Sequence, residues 1–186
     1  MSTGDLTTLA NVKQWMSLAS SVDDALISRL ITAQSSLIQQ YLNRILPSAD
    51  YVQVLDGKDN RVAMLSNYPV TAVSGIVIDG GAVPESTSAN ASGWVIGSDR
   101  TAVELRGYSF TRGSSNVEIS YTAGFSIIPT EIEQACIELV QLRYVERTRA
   151  GVSSKTLGGE TVSFKSSALP DAVLLTLRQH RKVIPV

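Results

Sequence analysis

The side chains best suited to chemistry in this sequence are one thiol, one imidazole, several carboxylate pairs, and a lysine beside a threonine in a glycine-rich stretch. Cys136 is the single cysteine and His180 the single histidine. Nucleophilic catalysis by a thiol or hydroxyl uses a positioned base. His180 sits in Arg178-Gln179-His180-Arg181-Lys182, a basic terminal turn that reads as solvated. Cys136 falls on the apolar stripe of a predicted helix, where a free cysteine behaves as a small buried hydrophobe. A lone cysteine forms no internal disulfide, and one cysteine with one histidine is too few for a zinc site of the usual kind, which fits a reducing compartment.

Lys155-Thr156 ends a stretch with the flavour of a phosphate-binding loop. That loop needs glycines six residues and one residue before the lysine, so that backbone amides wrap the phosphates. Arg149 and Ser154 stand there instead. The carboxylate pairs Asp23-Asp24, Asp56 with Asp59, and Glu131 with Glu133 all fall at predicted helix starts or tight turns, where capping and the helix dipole favour acids without any catalysis. We therefore assign no catalytic, cofactor-binding or metal-binding residue, and read the chain as not an enzyme.

The 16 Lys+Arg nearly cancel the 17 Asp+Glu, so the whole-molecule field gives no bulk attraction to nucleic acid or anionic membrane, and any electrostatic function is local. The N-terminus has neither a basic patch nor an apolar run, and no stretch approaches the roughly 20 apolar residues that span a bilayer. A soluble protein made in a cytoplasm, with no membrane contact, is expected. At 186 residues and 44% hydrophobic content, the chain has enough apolar surface for a core.

Three stretches follow from periodicity. Residues 1–47 read as helical: a short helix from Leu6 to Met16, then a long one from about Val22 to Arg44. Ser21 and Asp24 are placed as a capping box and Pro47 as the stop; Leu26, Leu30, Ala33, Leu37 and Tyr41, flanked by Ile27, Gln34 and Ile38, form the apolar face. Residues 48–127 read as β, with short apolar-polar runs such as Val52-Gln53-Val54, Trp94-Val95-Ile96 and Val117 to Tyr121 between Gly- and Asp-rich turns; Val83 to Ser92 reads as a mobile loop. Residues 128–186 return to helix. Thr130 and Glu133 are placed as a capping box for a helix to about Arg149, with Ile132, Ala135, Cys136, Leu139, Val140 and Tyr144 on one stripe. A Gly/Ser loop at 150–160, an extended piece at Thr161 to Phe164, and a last helix from near Pro170 complete the chain. The expected fold is α+β: a helical bundle core, formed by the N-terminal plus C-terminal helices, with an inserted antiparallel β segment, the whole being a single domain.

The strings Asn-Val-Glu-Ile-Ser-Tyr-Thr-Ala-Gly-Phe (116–125), Ile-Pro-Thr-Glu-Ile-Glu-Gln-Ala-Cys-Ile-Glu-Leu-Val (128–140) and Gly-Val-Ser-Ser-Lys-Thr-Leu-Gly-Gly-Glu-Thr-Val-Ser-Phe (151–164) carry a resemblance. So do Leu-Thr-Thr-Leu-Ala-Asn-Val-Lys-Gln-Trp-Met near the N-terminus, Tyr41-Leu42-Asn43-Arg44, and Tyr68-Pro69-Val70-Thr71-Ala72-Val73. In this order, over nearly the whole chain, they resemble the head-tail connector (adaptor) proteins of long-tailed bacteriophages. The resemblance implies a structural virion protein at the head-tail interface: a ring, typically dodecameric, under the portal protein. DNA passes through its lumen without tight or specific binding, and a stopper or tail-completion protein lies below.

A ring subunit presents two different faces to its neighbours. The acid-to-base polarity of the helix after Pro129 makes Glu131, Glu138, Arg143, Arg147 and Arg149 the candidate subunit interface. Ser153, Ser154 and Lys155 in the Gly/Ser loop, with Arg178, Arg181 and Lys182 in the C-terminal region, are the candidate contacts to the portal or another partner. The competing readings are a nucleic-acid-binding module using the Arg143, Arg147 and Arg149 face, whose affinity would fall steeply with salt, and a small hydrolase with a deep polar pocket.

Overall fold

The computed structural model describes residues 4–147, 154–157, 160–163 and 169–181. The chain divides into two compact units, one of residues 1–46 and 127–186, the other of residues 47–126.

In the first unit, Thr8 caps helix α1 (Leu9–Trp15), its hydroxyl accepting from Asn11 N at 3.1 Å, so the helix starts three residues after the predicted Leu6. Helix α2 (Asp24–Leu42) lacks the predicted Ser21 capping box, because the Asp24 carboxylate is taken by Lys13 of α1 at 2.7 Å. It stops before Pro47 is reached: Asn43 adopts a left-handed conformation (φ 54°), one that asparagine tolerates better than most side chains and that turns the chain out of the helix. The buried face is Ile27, Ile31, Gln34, Ser35, Ile38 and Leu42. Of the predicted face, the flanking Ile27, Gln34 and Ile38 are buried, whereas the leading row sits at the margin: Leu26, Leu30, Leu37 and Tyr41 are half-buried and Ala33 is exposed.

Helix α3 (Thr130–Glu146) buries Ile132, Ala135, Cys136, Leu139 and Val140 as expected, with Ile137 in addition, and α1, α2 and α4 (Asp171–Arg178) all pack against it. Pro129, not Thr130, occupies its N-cap position.

The second unit holds seven strands. The larger sheet runs in the order β1 (Ala49–Gly57), β7 (Gly113–Ala123), β3 (Val70–Ile78), β4 (Gly81–Val83); the smaller runs β2 (Val62–Met64), β6 (Ala102–Arg106), β5 (Gly93–Ile96), and every pairing is antiparallel. β1 and β7, the first and last strands, pair from Ala49 opposite Ala123 to Leu55 opposite Val117. Val70, Ile76, Val117, Ile119 and Tyr121 from the larger sheet and Trp94, Val103 and Leu105 from the smaller form one buried core. The Tyr121 ring lies 5.6 Å from that of Tyr51, and its hydroxyl donates to Gln53 Oε1 at 2.9 Å. The expected mobile loop at 83–92 is pinned: Ser86 N donates to Trp94 O at 2.9 Å and its hydroxyl to Ala91 O at 2.8 Å.

These observations correct the expected fold class. The molecule is mainly β with few helices, not a helical bundle core carrying an antiparallel β insertion: nine strands accompany four helices among the described residues. The physical reason is that the inner faces of the two sheets close on each other, so the β segment buries its apolar side chains without helices. Strand also reaches into the predicted Gly/Ser loop, where β8 (Ser154–Leu157) pairs antiparallel with β9 (Glu160–Ser163); the rest of that loop lies outside the described residues.

Candidate functional site

The charged side chains singled out on α3 are brought to the surface by the same periodicity that buries its apolar stripe, and the structure shows what each one meets. Glu131, in the first turn, lies 2.8 Å from His180 Nε2, just beyond α4. Glu133 accepts from Thr7 Oγ1 at 3.0 Å and Asn11 Nδ2 at 2.7 Å, which is why it does not serve the predicted capping box. Glu138 is exposed and accepts from Gln134 at 3.1 Å. Arg143 meets Glu146 at 2.7 Å. Arg147 grips Asp23, the residue before α2, with two nitrogens at 3.1 and 3.2 Å. Tyr144 donates its hydroxyl to the same carboxylate at 2.5 Å, and the Arg147 guanidinium stacks 4.1 Å from the Tyr144 ring centre. Helix α3 thus ties down α1, the start of α2 and the end of α4 through polar contacts at both its ends.

Asp23 was read from sequence only as a helix-start acid. Its carboxyl is held below the ordinary 3.8, first by the Arg147 hydrogen bonds and then by the Tyr144 hydroxyl. A carboxyl depressed in the folded state adds stability above its unfolded value, and that stability is lost as pH falls through the folded one. Asp23→Asn is therefore expected to melt below the wild type at pH 7, with the gap closing once the pH drops below about 3.8 and through the depressed folded value. Melting curves of the two proteins across that range check it; a gap that persists in acid would assign the effect to packing.

Cys136 is wholly buried, its sulfur 3.6 Å from Ser35 Oγ, and desolvation pushes the thiol up to about 11. The thiolate is the reactive form. An aromatic disulfide reagent at pH 8 should leave Cys136 unlabelled in the native protein and label it fully in denaturant; rapid native labelling would mean that α3 opens.

The remaining predicted contact residues are spread through the C-terminal part. Arg178 is exposed on α4, beside the outward Leu175; Arg181 is exposed with its guanidinium 5.4 Å from the Tyr41 ring centre. Ser154 and Lys155 belong to β8. Arg149, Ser153 and Lys182 lie outside the described residues. Among the described residues, no group of His, Cys, Asp and Glu is arranged to hold a metal ion, and no helix is long and apolar enough to cross a membrane.

A family model described as head completion protein matches residues 5–183. Among solved structures, the chain is similar to one in the neck of a native gene transfer agent particle computed with C12 symmetry, with a TM-score of 0.62 at 19% identity, over 96% of this chain and 90% of that one. A chain in the neck of the empty particle, computed with C6 symmetry, gives 0.61 at 20% identity over the same shares. A chain in the virion of the native particle gives 0.61 at 21%, again over 96% and 90%. At such identities the likeness establishes a shared fold. No curated protein matches the sequence.

Proposed function

This chain belongs to the head completion protein family, and from that premise we propose that it is the connector subunit that forms a ring between portal and tail. The role is structural, in the virion at the head-tail interface, and the reading does not call for catalysis. The carrying observation is the family match over residues 5–183, with which the fold likeness to neck chains agrees. We read the ring as a dodecamer, with the portal protein above, a stopper or tail-completion protein below, and DNA sliding through the lumen. The stretches 1–47, 48–127 and 128–186 act together as one connector domain.

Within that reading, Glu131, Glu138, Arg143, Arg147 and Arg149 lie at or beside the subunit interface, a placement that the exposure of Glu131, Glu138 and Arg147 supports. Ser153, Ser154 and Lys155 meet a partner, and Arg178, Arg181 and Lys182 meet the portal; the exposure of Arg178 beside outward Leu175 supports a protein contact there. The nucleic-acid reading is weakened by the ion pairs that occupy Arg143 and Arg147, since phosphate binding gains from each free cation.

Light scattering on the purified protein, alone and mixed with the cognate portal ring, tests the proposal. Comigration at one copy per portal subunit is expected. A persistent monomer that ignores the portal would overturn it and direct attention to DNA binding at two salt concentrations.

A further inference from the structure

We propose that β1 is the acceptor edge for the β8–β9 hairpin of a second copy of the chain, so that neighbouring subunits share a sheet. This rests on the ring reading and goes beyond it by naming the two surfaces that meet.

Among the described residues, the donor has no third strand beside it. β8 and β9 form a sheet of two strands of four residues each, with Lys155 opposite Val162 and Leu157 opposite Glu160. A two-stranded sheet is marginal in water and gains independent stability from a third strand. Register and the two-residue period put positions 155, 157, 160 and 162 on one face, where basic, acidic and apolar residues alternate with the Ser and Thr of the other face.

The acceptor, β1, ends the larger sheet, so its outer edge has no strand beside it among the described residues. Proteins commonly protect such an edge with a short strand, a lysine, a proline or a bulge. β1 is nine residues long, and its register shift falls at the far end, between Leu55 and Gly57. Its outward row reads Asp50, Val52, Val54, Asp56, all exposed, with Val52 and Val54 at 66% and 52%. Asp50 and Asp56 each accept one hydrogen bond within the unit, from Thr122 Oγ1 and Ser115 N.

The two surfaces complement each other in charge and polarity. The β1 row is acidic, apolar, apolar, acidic; β8 offers a basic position and an apolar one two residues on. Antiparallel pairing sets Lys155 by Asp56 and Leu157 by Val54. Parallel pairing sets Lys155 by Asp50 and Leu157 by Val52, and opposite charges and apolar pairs across strands stabilise either arrangement. A second copy is the occupant because donor and acceptor are different surfaces carried by every subunit, the head-to-tail geometry that closes a ring.

Cross-linking on the portal-bound assembly tests this. Chains carrying Leu157→Cys are mixed with chains carrying Val54→Cys, or in a parallel mixture Val52→Cys, loaded on the cognate portal ring and oxidised, with buried Cys136 left in place. A disulfide-linked dimer in one of the mixtures, absent from each variant alone, is expected; the doubly substituted chain should then give a ladder of multimers. Full loading of the portal with no cross-link in either mixture overturns the proposal and leaves the ring reading standing. Failure of unsubstituted chains to load overturns both. A disulfide confined to single doubly substituted chains overturns it as well, by placing the hairpin on its own sheet. As a second measurement, Val52→Lys with Val54→Lys should leave the melting temperature unchanged and abolish portal loading; unchanged loading counts against the shared sheet.

Discussion

Phe110→Ala is expected to lower the unfolding free energy by about 4 kcal/mol, the range for deleting a buried aromatic ring that its surroundings cannot refill. Phe110 lies in the connection between β6 and β7 and is only 2% exposed. Its ring belongs to the core that the two sheets share, and it also lines a cleft of about 240 Å³ bordered by Leu55, Ala63 and Val117. Truncation would join the ring's volume to a space that is already open, so little collapse can offset the loss. The backbone there is held independently of the ring: Phe110 N donates to Asn60 O and Asp59 N donates to Phe110 O, both at 2.8 Å. The variant should therefore keep the native circular dichroism spectrum while its urea midpoint falls with an unchanged slope. A loss of less than about 1 kcal/mol would mean that the cleft closes over the missing ring.

Phe110 also shows where sequence reading stops. It stands in Gly107-Tyr-Ser-Phe-Thr-Arg-Gly113, a stretch between two glycines too short to read as a strand, so its local pattern does not mark it as a core residue. The strands whose inner faces alternate, such as Val117 to Tyr121, were legible because the period of two is a local property. Their partners were not, since β1 and β7 lie some 60 residues apart in the chain and pair through contacts that only the folded sheet reveals. The same division runs through the helical unit. The α3 stripe is legible from Ile132 to Val140, whereas on α2 two adjacent rows are both apolar, Leu26 beside Ile27 and Leu37 beside Ile38, and the row expected to flank the face is the one that is buried. Packing partners, not periodicity, choose between such rows.

The polar sites divide in the same way. Residue types at helix starts suggest capping boxes at Ser21 with Asp24 and Thr130 with Glu133, but Lys13, Thr7 and Asn11, all from the N-terminal helix or the residues just before it, take the carboxylates instead. A local rule loses to a tertiary partner when that partner supplies a charge or a second donor. The Asp23, Tyr144 and Arg147 cluster spans more than 120 residues of chain and left no signature beyond an acid before a helix. The resemblance to connector proteins, in contrast, was legible because it rests on the order of strings along the chain.

Leu139→Ala is expected to cost about 3 kcal/mol. Leu139 is wholly buried on α3, the helix against which α1, α2 and α4 all pack. Removing three carbons at that position leaves a cavity bounded by a helix held at both ends through Glu131, Glu133 and Arg147, so its walls have little freedom to close in. Leu175→Ala on α4 is the matched control: at 66% exposure it loses almost no buried area and should stay within about 0.5 kcal/mol of the wild type. Urea unfolding of both variants checks the pair. The contrast bears on assembly as well as on folding. Since α3 carries Glu138 on its surface and anchors the element that bears Arg178, loosening it displaces both candidate interfaces together. Leu139→Ala should therefore lose portal loading at temperatures where Leu175→Ala remains folded. Equal loading by both variants would mean that the ring contacts are made by surfaces that α3 does not hold in place.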